Sequence, residues 1–208
     1  MDVQFVLSAF VTLFVVIDPL GLTPLFVALT QGASPEQRRN IGLRACAVAL
    51  VVLTIFAVFG DKVLEYAGIS MPAFRIAGGV LLFLTALDML FERRTKRRED
   101  QADKGQTEPT DDPSVFPLAI PLIAGPGAIA SMILLTGEHP GLEGLAVTIG
   151  VMISVLALVF ILFLSSSLLE RALGQTGTNV VSRVLGMLLA ALSVQFVMDG
   201  LAAFGIAN

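Results

Sequence analysis

The sequence predicts an all-α polytopic membrane protein with six transmembrane helices. Mean hydropathy is +0.86 over 208 residues, and 55% of the residues are apolar against 14% that are charged, a balance far from that of soluble domains. The apolar residues form six continuous segments, at about 3–29, 41–60, 71–91, 115–136, 143–168 and 180–204. Each is near or above the ~20 helical residues that cross a bilayer, and none alternates in polarity as barrel strands do.

The six spans account for most of the chain, so we expect a single transmembrane domain over residues 1–208. The longest polar stretch, 92–114, is basic at first and then acidic, which is typical of a mobile linker. This linker divides the chain into two halves of three spans, 1–91 and 115–208. A cleavable signal peptide is not expected, because the first basic residue is Arg38.

Lysine and arginine are unevenly distributed over the loops. Of the thirteen basic residues, only Lys62 and Arg75 fall on one side of the alternating spans, and the other eleven fall on the opposite side. The positive-inside rule places the eleven in the cytoplasm. We therefore predict that the linker is cytoplasmic and that both termini are periplasmic.

The two halves share sequence patterns at corresponding places. Residues 75–85 and 183–193 both read R-x-x-G-x-x-L-x-x-L-[TS], 108 positions apart, and Asp18 to Gly21 corresponds to Gly125 to Ala128 at an offset of 107. Because each half has an odd number of spans, the second half enters the membrane with reversed polarity. The sequence therefore predicts an inverted repeat.

Two of the spans contain residues that interrupt helices. Residues 17–24 read IDPLGLTP, and residues 117–130 read PLAIPLIAGPGAIA. Proline lacks an N–H and glycine loosens a helix, so each stretch should break or sharply kink its span. A break that faced lipid would leave costly unpaired backbone groups, so both should be enclosed by protein or line a watery cavity.

Each break also carries a signal for a new helix. Asp18 is a good N-cap acceptor followed by Pro19, and Gly125 followed by Pro126 is a weaker version. Because the two spans run antiparallel, both restarted helices should point their N-termini at the bilayer midplane, where N–H groups and helix dipoles can hold an anion. Main-chain N–H groups near Gly127 could bind a carboxylate and Asp18 an ammonium, so a small zwitterion fits both.

The candidate substrate-binding residues come from these breaks and from nearby polar side chains. They are Asp18, Pro19, Gly21, Thr23, Gly125, Pro126, Gly127, Ala128 and Gln195. Asp18 and Asp88 are also candidates for coupling to H⁺ or Na⁺. Structural alternatives stay open: Asp18 as a cap only, Asp88 paired with Arg93 or Arg94, Gln195 as a bridge between helices, and Thr23 bonded to its own helix.

Several other polar residues have structural explanations. Arg75 and Arg183 begin spans and are expected to extend to water. His139 and Asp199 should lie near the outer surface, with His139 solvated and not a metal ligand. Cys46 is expected to be a small packing residue.

Four motifs resemble the MarC family of bacterial inner-membrane proteins. They are DPLGLTPLF (18–26), FRIAGGVLLFLTALDML (74–90), PLAIPLIAGPGAIA (117–130) and LSVQFVMDG (192–200), in the family's order and spacing. Members of the SnatA type transport small neutral amino acids such as glycine and alanine. The resemblance implies that Asp18, Pro19 and Gly21, together with residues 125–127, are the two helix breaks that bound the substrate site. Leu22 departs from the Asn or similar small residue often found there in the family.

The leading functional hypothesis is a secondary transporter of small neutral amino acids or similar metabolites across the bacterial inner membrane. Alternatives are an exporter of drugs or other amphiphiles and a non-transporting structural or assembly protein. An enzyme is not expected, because the chain has no HExxH motif and no catalytic Ser–His pairing. The lipid bilayer and a small zwitterion are the expected partners, and we expect no cofactor, metal or nucleic acid. Substrate identity, direction of transport and oligomeric state are left open by the sequence.

Overall fold

The computed structural model describes residues 3–91, 93 and 113–205, and this part of the chain contains eight helical segments and no strand. The segments are α1 Val3–Ile17, α2 Pro19–Leu29, α3 Pro35–Tyr66, α4 Met71–Leu90, α5 Ser114–Ile123, α6 Pro126–Glu138, α7 Leu142–Leu164 and α8 Ser166–Ala203. Five spans are long and apolar enough to cross a membrane, and α5 with α6, joined at a 56° bend, makes a sixth. The predicted all-α membrane fold is therefore confirmed.

Two helices extend beyond the apolar segments that predicted them. Helix α3 begins at Pro35 because Ser34 and Gln37 form a capping box, in which each side chain bonds the other residue's backbone N–H. Helix α8 begins at Ser166 and contains one non-helical residue, Gly174, with φ +58°. Its membrane-length portion runs from Thr176 to Ala203. Hydropathy marks the lipid-embedded part of a helix, whereas caps and glycine decide where the helix ends.

The predicted linker 92–114 lies outside the described residues except for Arg93, Pro113 and Ser114. The inverted repeat that the sequence patterns indicate stays a prediction.

The two interrupted spans are the most enclosed parts of the bundle. In the span Val3–Leu29, 56% of the most apolar window is buried, compared with 22–39% for the other four long spans. Helix α6 is buried without interruption from Ala130 to Thr136. A span that carries unpaired backbone groups is tolerated only where protein surrounds it or where it lines a watery cavity. The first break is enclosed, with Asp18 and Pro19 buried, whereas at the second break Pro126 is exposed and Gly125 and Gly127 are half-buried.

Helices α4 and α8 pack closely and antiparallel through glycines. A Cβ atom built on Gly79 would lie 2.8 Å from the backbone oxygen of Ser193, and one on Gly200 would lie 3.0 Å from that of Pro72. At the other end of the pair, a Cβ on Gly186 would lie 3.2 Å from the Ala86 oxygen. Small residues bring helix backbones close together in membranes, and here they join the third and sixth spans.

The bundle has two ends, which we name by their residues. The terminal face carries Val3, the 67–70 turn and Ala203, and the basic face carries the 30–34 turn and the end of α4. The sequence predicts that the terminal face is periplasmic.

Candidate functional site

The first span breaks at Asp18, which holds a left-handed backbone conformation with φ 57° and ψ 66°. Aspartate is one of the few residues besides glycine that adopts this region readily. Its side chain then caps the new helix, since Oδ1 accepts a hydrogen bond of 3.1 Å from the Gly21 N–H. Pro19 occupies the first helical position, as predicted. Asp18 is only 3% exposed, so a carboxylate lies in the interior of the bundle.

Gly21 and Thr23 adapt the first turn of α2 to this carboxylate. A Cβ atom on Gly21 would overlap the Asp18 carboxylate, so the position of this carboxylate requires glycine at residue 21. The Thr23 hydroxyl donates to the Pro19 carbonyl at 2.9 Å, which is the structural alternative foreseen for this residue. Thr23 therefore supports the break from within its own helix.

The second break is longer and more irregular than the first. Segment α5 has non-helical backbone angles at Phe116 and Ile120, and each of these residues is followed by a cis proline. At its end, the Ala124 N–H donates to the Ala119 carbonyl at 2.8 Å, five residues back in place of the usual four. The chain then extends at Gly125, with φ −84° and ψ 172°, before α6 starts at Pro126. Pro117 and Pro121 thus prevent a regular helix in α5, and regular α-helix begins only at Pro126.

The start of α6 is open, in contrast to that of α2. Gly125 has no side chain to cap the helix, and the N–H groups of Gly127 and Ala128 belong to the first turn, where no intrahelical acceptor exists. A Cβ atom on Gly125 would lie 2.6 Å from the Pro121 oxygen, so this position too requires glycine. One break therefore supplies a carboxylate and the other supplies backbone N–H donors.

The two breaks meet at the same level of the bundle. A Cβ atom on Gly127 would lie 3.2 Å from Val16 Cγ1, two residues before Asp18, and 3.8 Å from the hydroxyl of Thr85. At the other end of the same helix pair, the rings of Phe5 and His139 are 4.3 Å apart. Helices α1 and α6 therefore run antiparallel in contact along their length. The break lies about 22 Å along the first span, given 1.5 Å per residue, and so at membrane depth.

Two buried hydroxyls follow the α1–α6 contact toward the terminal face. Thr12 lies one helical turn from Val16, and Ser131 lies one turn from Gly127, so the antiparallel register places them opposite each other. Both residues are 0% exposed. Among the described residues, neither hydroxyl oxygen has a hydrogen-bond partner. Groups of this kind are uncommon in protein interiors and call for a functional explanation.

A cavity opens at each end of the bundle. The basic-face cavity, of about 580 Å³, is lined by Leu29 to Ala33 at the end of α2 and by Pro113 at the start of α5, with Arg44 from α3. The terminal-face cavity, of about 450 Å³, is lined by Gln4 and Ser8 of α1 and by Glu138 of α6, among others. Each cavity is thus bordered by one half of each broken span, and the breaks lie between them.

Gln195 lies closer to the terminal face than the two breaks do, whereas Asp88 lies on the basic-face side of them. Gln195 lines the terminal-face cavity, and its Nε2 donates to Asp199 Oδ1 at 2.7 Å. It is two turns from the end of α8, about 12 Å, whereas Asp18 is about 22 Å from the terminal end of its span. The sequence left open whether Gln195 flanks the breaks or bridges helices, and here its amide bonds Asp199 of its own helix. Asp88 is half-buried near the basic end of α4, one turn beyond Thr85.

Sequence reasoning did not group the residues of the terminal-face cavity. Arg75, Glu138, His139 and Asp199 stand at the ends of three different elements, and each alone reads as an interfacial residue. The alternation of spans already places all four residues on the same side of the membrane. Which of them are neighbours depends on how the helices pack, and the sequence does not show this.

The chain was compared with known proteins. A family model described as MarC family integral membrane protein matches residues 3–204. The chain is 38% identical over 204 residues to a UPF0056 membrane protein of Archaeoglobus fulgidus, which covers 96% of this chain and 93% of that one. It is 32% identical over 196 residues to the UPF0056 inner membrane protein YhgN of Escherichia coli K12, with 94% and 95% covered. No solved structure matches. The chain therefore belongs to the MarC family of integral membrane proteins.

Proposed function

We propose that this protein is a secondary transporter that moves small neutral amino acids, or similar small zwitterions, across the inner membrane of a bacterium. The observation that carries the proposal is the meeting of two helix breaks, one with the Asp18 carboxylate and the other with uncapped N–H groups at Gly127 and Ala128. Discontinuous helices at membrane depth are the usual substrate sites of such transporters.

The chemistry of the two breaks suits the two charges of an amino acid. The N–H groups and positive dipole end of α6 favour a carboxylate, and Asp18 favours an ammonium. Val16, Leu82 and Thr85 pack closely around Gly127, which favours a small side chain on the substrate. The same close packing disfavours the bulky amphiphiles of the alternative hypothesis.

The positions of the two cavities suggest how the site is reached. In this structure Asp18 and Ala128 are each 3% exposed, so neither residue is accessible from the two cavities, although Pro126 at the start of α6 is exposed. A rocking movement of one pair of half-spans against the other would open the breaks to one cavity at a time, which is alternating access. The buried hydroxyls of Thr12 and Ser131 offer polar contacts along the route from the terminal face.

Uptake into proteoliposomes tests the proposal. Purified protein is reconstituted, and accumulation of labelled glycine, alanine and serine is measured with an imposed pH or Na⁺ gradient. We expect uptake by the wild type and by Asp61→Asn, a matched control at an exposed site. We expect at least about a tenfold loss in Asp18→Asn, because a charged partner of the ammonium is removed. Absence of uptake by folded wild-type protein would refute the proposal and favour a structural role.

A further inference from the structure

The terminal-face cavity is lined by side chains that carry charges of both signs, by polar residues and by apolar residues. Arg75 comes from the first turn of α4, Glu138 from the last turn of α6 and Asp199 from the end of α8. Glu138 is close enough to interact electrostatically with both Arg75 and Asp199. These residues play no part in the two breaks, so the proposed transport site does not account for them.

The guanidinium of Arg75 has capacity for a ligand. Arg75 is half-buried, and among the described residues its Nε has no hydrogen-bond partner although the atom is inaccessible to solvent. A buried N–H without an acceptor is unfavourable. Guanidinium groups bind carboxylates through charge-assisted hydrogen bonds, so the part of Arg75 that lines the cavity can bind a carboxylate there, whereas its Nε is out of reach of the cavity in this structure.

The acidic side of the cavity is held in place. Asp199 Oδ1 accepts a 2.7 Å hydrogen bond from Gln195, one turn earlier on α8, and this bond orients the carboxylate. Glu138 stands on the neighbouring helix end. Two carboxylates in one cavity with a single guanidinium leave negative charge in excess, and an ammonium group would balance it.

Part of the remaining wall is aromatic and well packed, and the rest is formed by Gln4, Ser8 and Leu192. Phe5 is 7% exposed and Phe196 is 6% exposed, and the Phe5 ring packs edge-on against His139 at 4.3 Å. The aromatic part accommodates a short aliphatic side chain, while Gln4 and Ser8 line the same cavity with polar groups. A cavity of about 450 Å³ is in the range of small-molecule sites.

We propose that the terminal-face cavity is a second binding site for α-amino acids with small side chains, separate from the breaks. The carboxylate binds Arg75, the ammonium binds Glu138 and Asp199, and the side chain packs against Phe5 and Phe196. The choice of substrate class rests on the proposed transport function. The site holds substrate at the terminal end of the route that continues through Ser8 and Thr12 to the breaks.

The absence of tryptophan from the sequence allows a local test. Phe5→Trp places a single indole in the cavity wall, and Phe196→Trp places one on the opposite side as an independent reporter. The purified full-length variants are titrated with glycine and alanine, and with methylammonium and acetate as ligands with one charge each. We expect a saturable change in fluorescence emission with the amino acids. The single-charge ligands should bind at least about tenfold more weakly.

Charge variants decide whether the cavity residues are responsible. Arg75→Gln in either tryptophan background should weaken binding about ten- to hundredfold, and Glu138→Gln should weaken it similarly. Arg183→Gln, which removes the corresponding charge from an exposed position on α8 near the basic face, should leave it unchanged. Uptake without a saturable response from either tryptophan, or a response that survives Arg75→Gln, would overturn this site and leave the transporter proposal standing. A saturable response without uptake would keep the site and overturn transport.

Discussion

Asp18 combines two tasks that few side chains could perform together. Its backbone takes the left-handed conformation that ends α1, and its carboxylate caps α2 at the Gly21 N–H. Asparagine tolerates the same conformation and also caps helices, whereas alanine does neither. Conformation and charge at this residue can therefore be separated by substitution. The neighbouring prolines and glycine indicated this break in the sequence because their effects are local.

Asp18→Ala should lower the free energy of unfolding by about 1–3 kcal/mol, since the cap is lost and the left-handed residue is strained. Asp18→Asn should lower it much less while still impairing transport. Cys46 is the chain's one cysteine and is buried, so the onset of its reaction with a fluorogenic maleimide on heating reports unfolding. Equal destabilisation by both variants would show that the charge, and not the backbone conformation, maintains the break.

At the scale of the element, α6 differs from a typical membrane helix because it is buried over most of its length. Its N-terminus contacts α1 and α4 at Gly127, and Ile133 and Leu134 reach Gly60 of α3 and Gly78 of α4. The apolar sequence of α6 predicts a span but does not distinguish a lipid-facing helix from an enclosed one. That distinction depends on the neighbours that the fold provides.

Gly127→Ala should raise the KM for amino-acid uptake severalfold with only modest loss of stability. The added methyl group would lie 3.2 Å from Val16 Cγ1, closer than the ~3.5–4.0 Å of an ordinary carbon contact, and it would partly cover the first-turn N–H groups. Gly150→Ala on α7 is the matched control, because no atom lies within 4 Å of its added methyl. An unchanged KM in Gly127→Ala would argue against substrate binding at this helix start.

For the whole molecule, the close contact of α4 with α8 joins the two halves of the chain. Adjacent glycines on α4 have different neighbours: Gly79 meets the backbone of α8, whereas Gly78 meets the flexible side chain of Leu134. A backbone atom can move only if the helices separate, but a side chain can change its rotamer. The two positions should therefore respond differently to the same added methyl group.

Gly79→Ala should destabilise the protein by about 1–3 kcal/mol, as overpacking usually does, and Gly78→Ala should have a smaller effect. The thermal reactivity of Cys46 again provides the measurement. Similar small effects of both substitutions would mean that α4 and α8 are not held at the distance seen here.

The orientation of the bundle is a further prediction at this scale. Alkaline phosphatase fused after residue 208 should be active, because the positive-inside rule places the C-terminus in the periplasm. A fusion after Gln31, in the first basic-face turn, should be inactive, and green fluorescent protein fusions at the two positions should show the reverse pattern. Activity of the Gln31 phosphatase fusion would invert the assignment of the two faces.

The sequence by itself determined the all-helical membrane fold, the six spans and the position of both breaks. These properties follow from hydropathy, from proline and glycine and from capping residues, all of which act over a few neighbouring residues. Only the tertiary structure decided that Asp18 is buried while Pro126 is exposed, and that the breaks meet between Val16 and Gly127. It also decided that Gln195 bonds Asp199 and that Arg75 and Glu138 share a cavity. Such contacts join residues far apart in the chain. They depend on how each helix is rotated and how far apart the helices lie. Glycines such as Gly79 allow close approach, but no local pattern specifies which helices meet or through which faces.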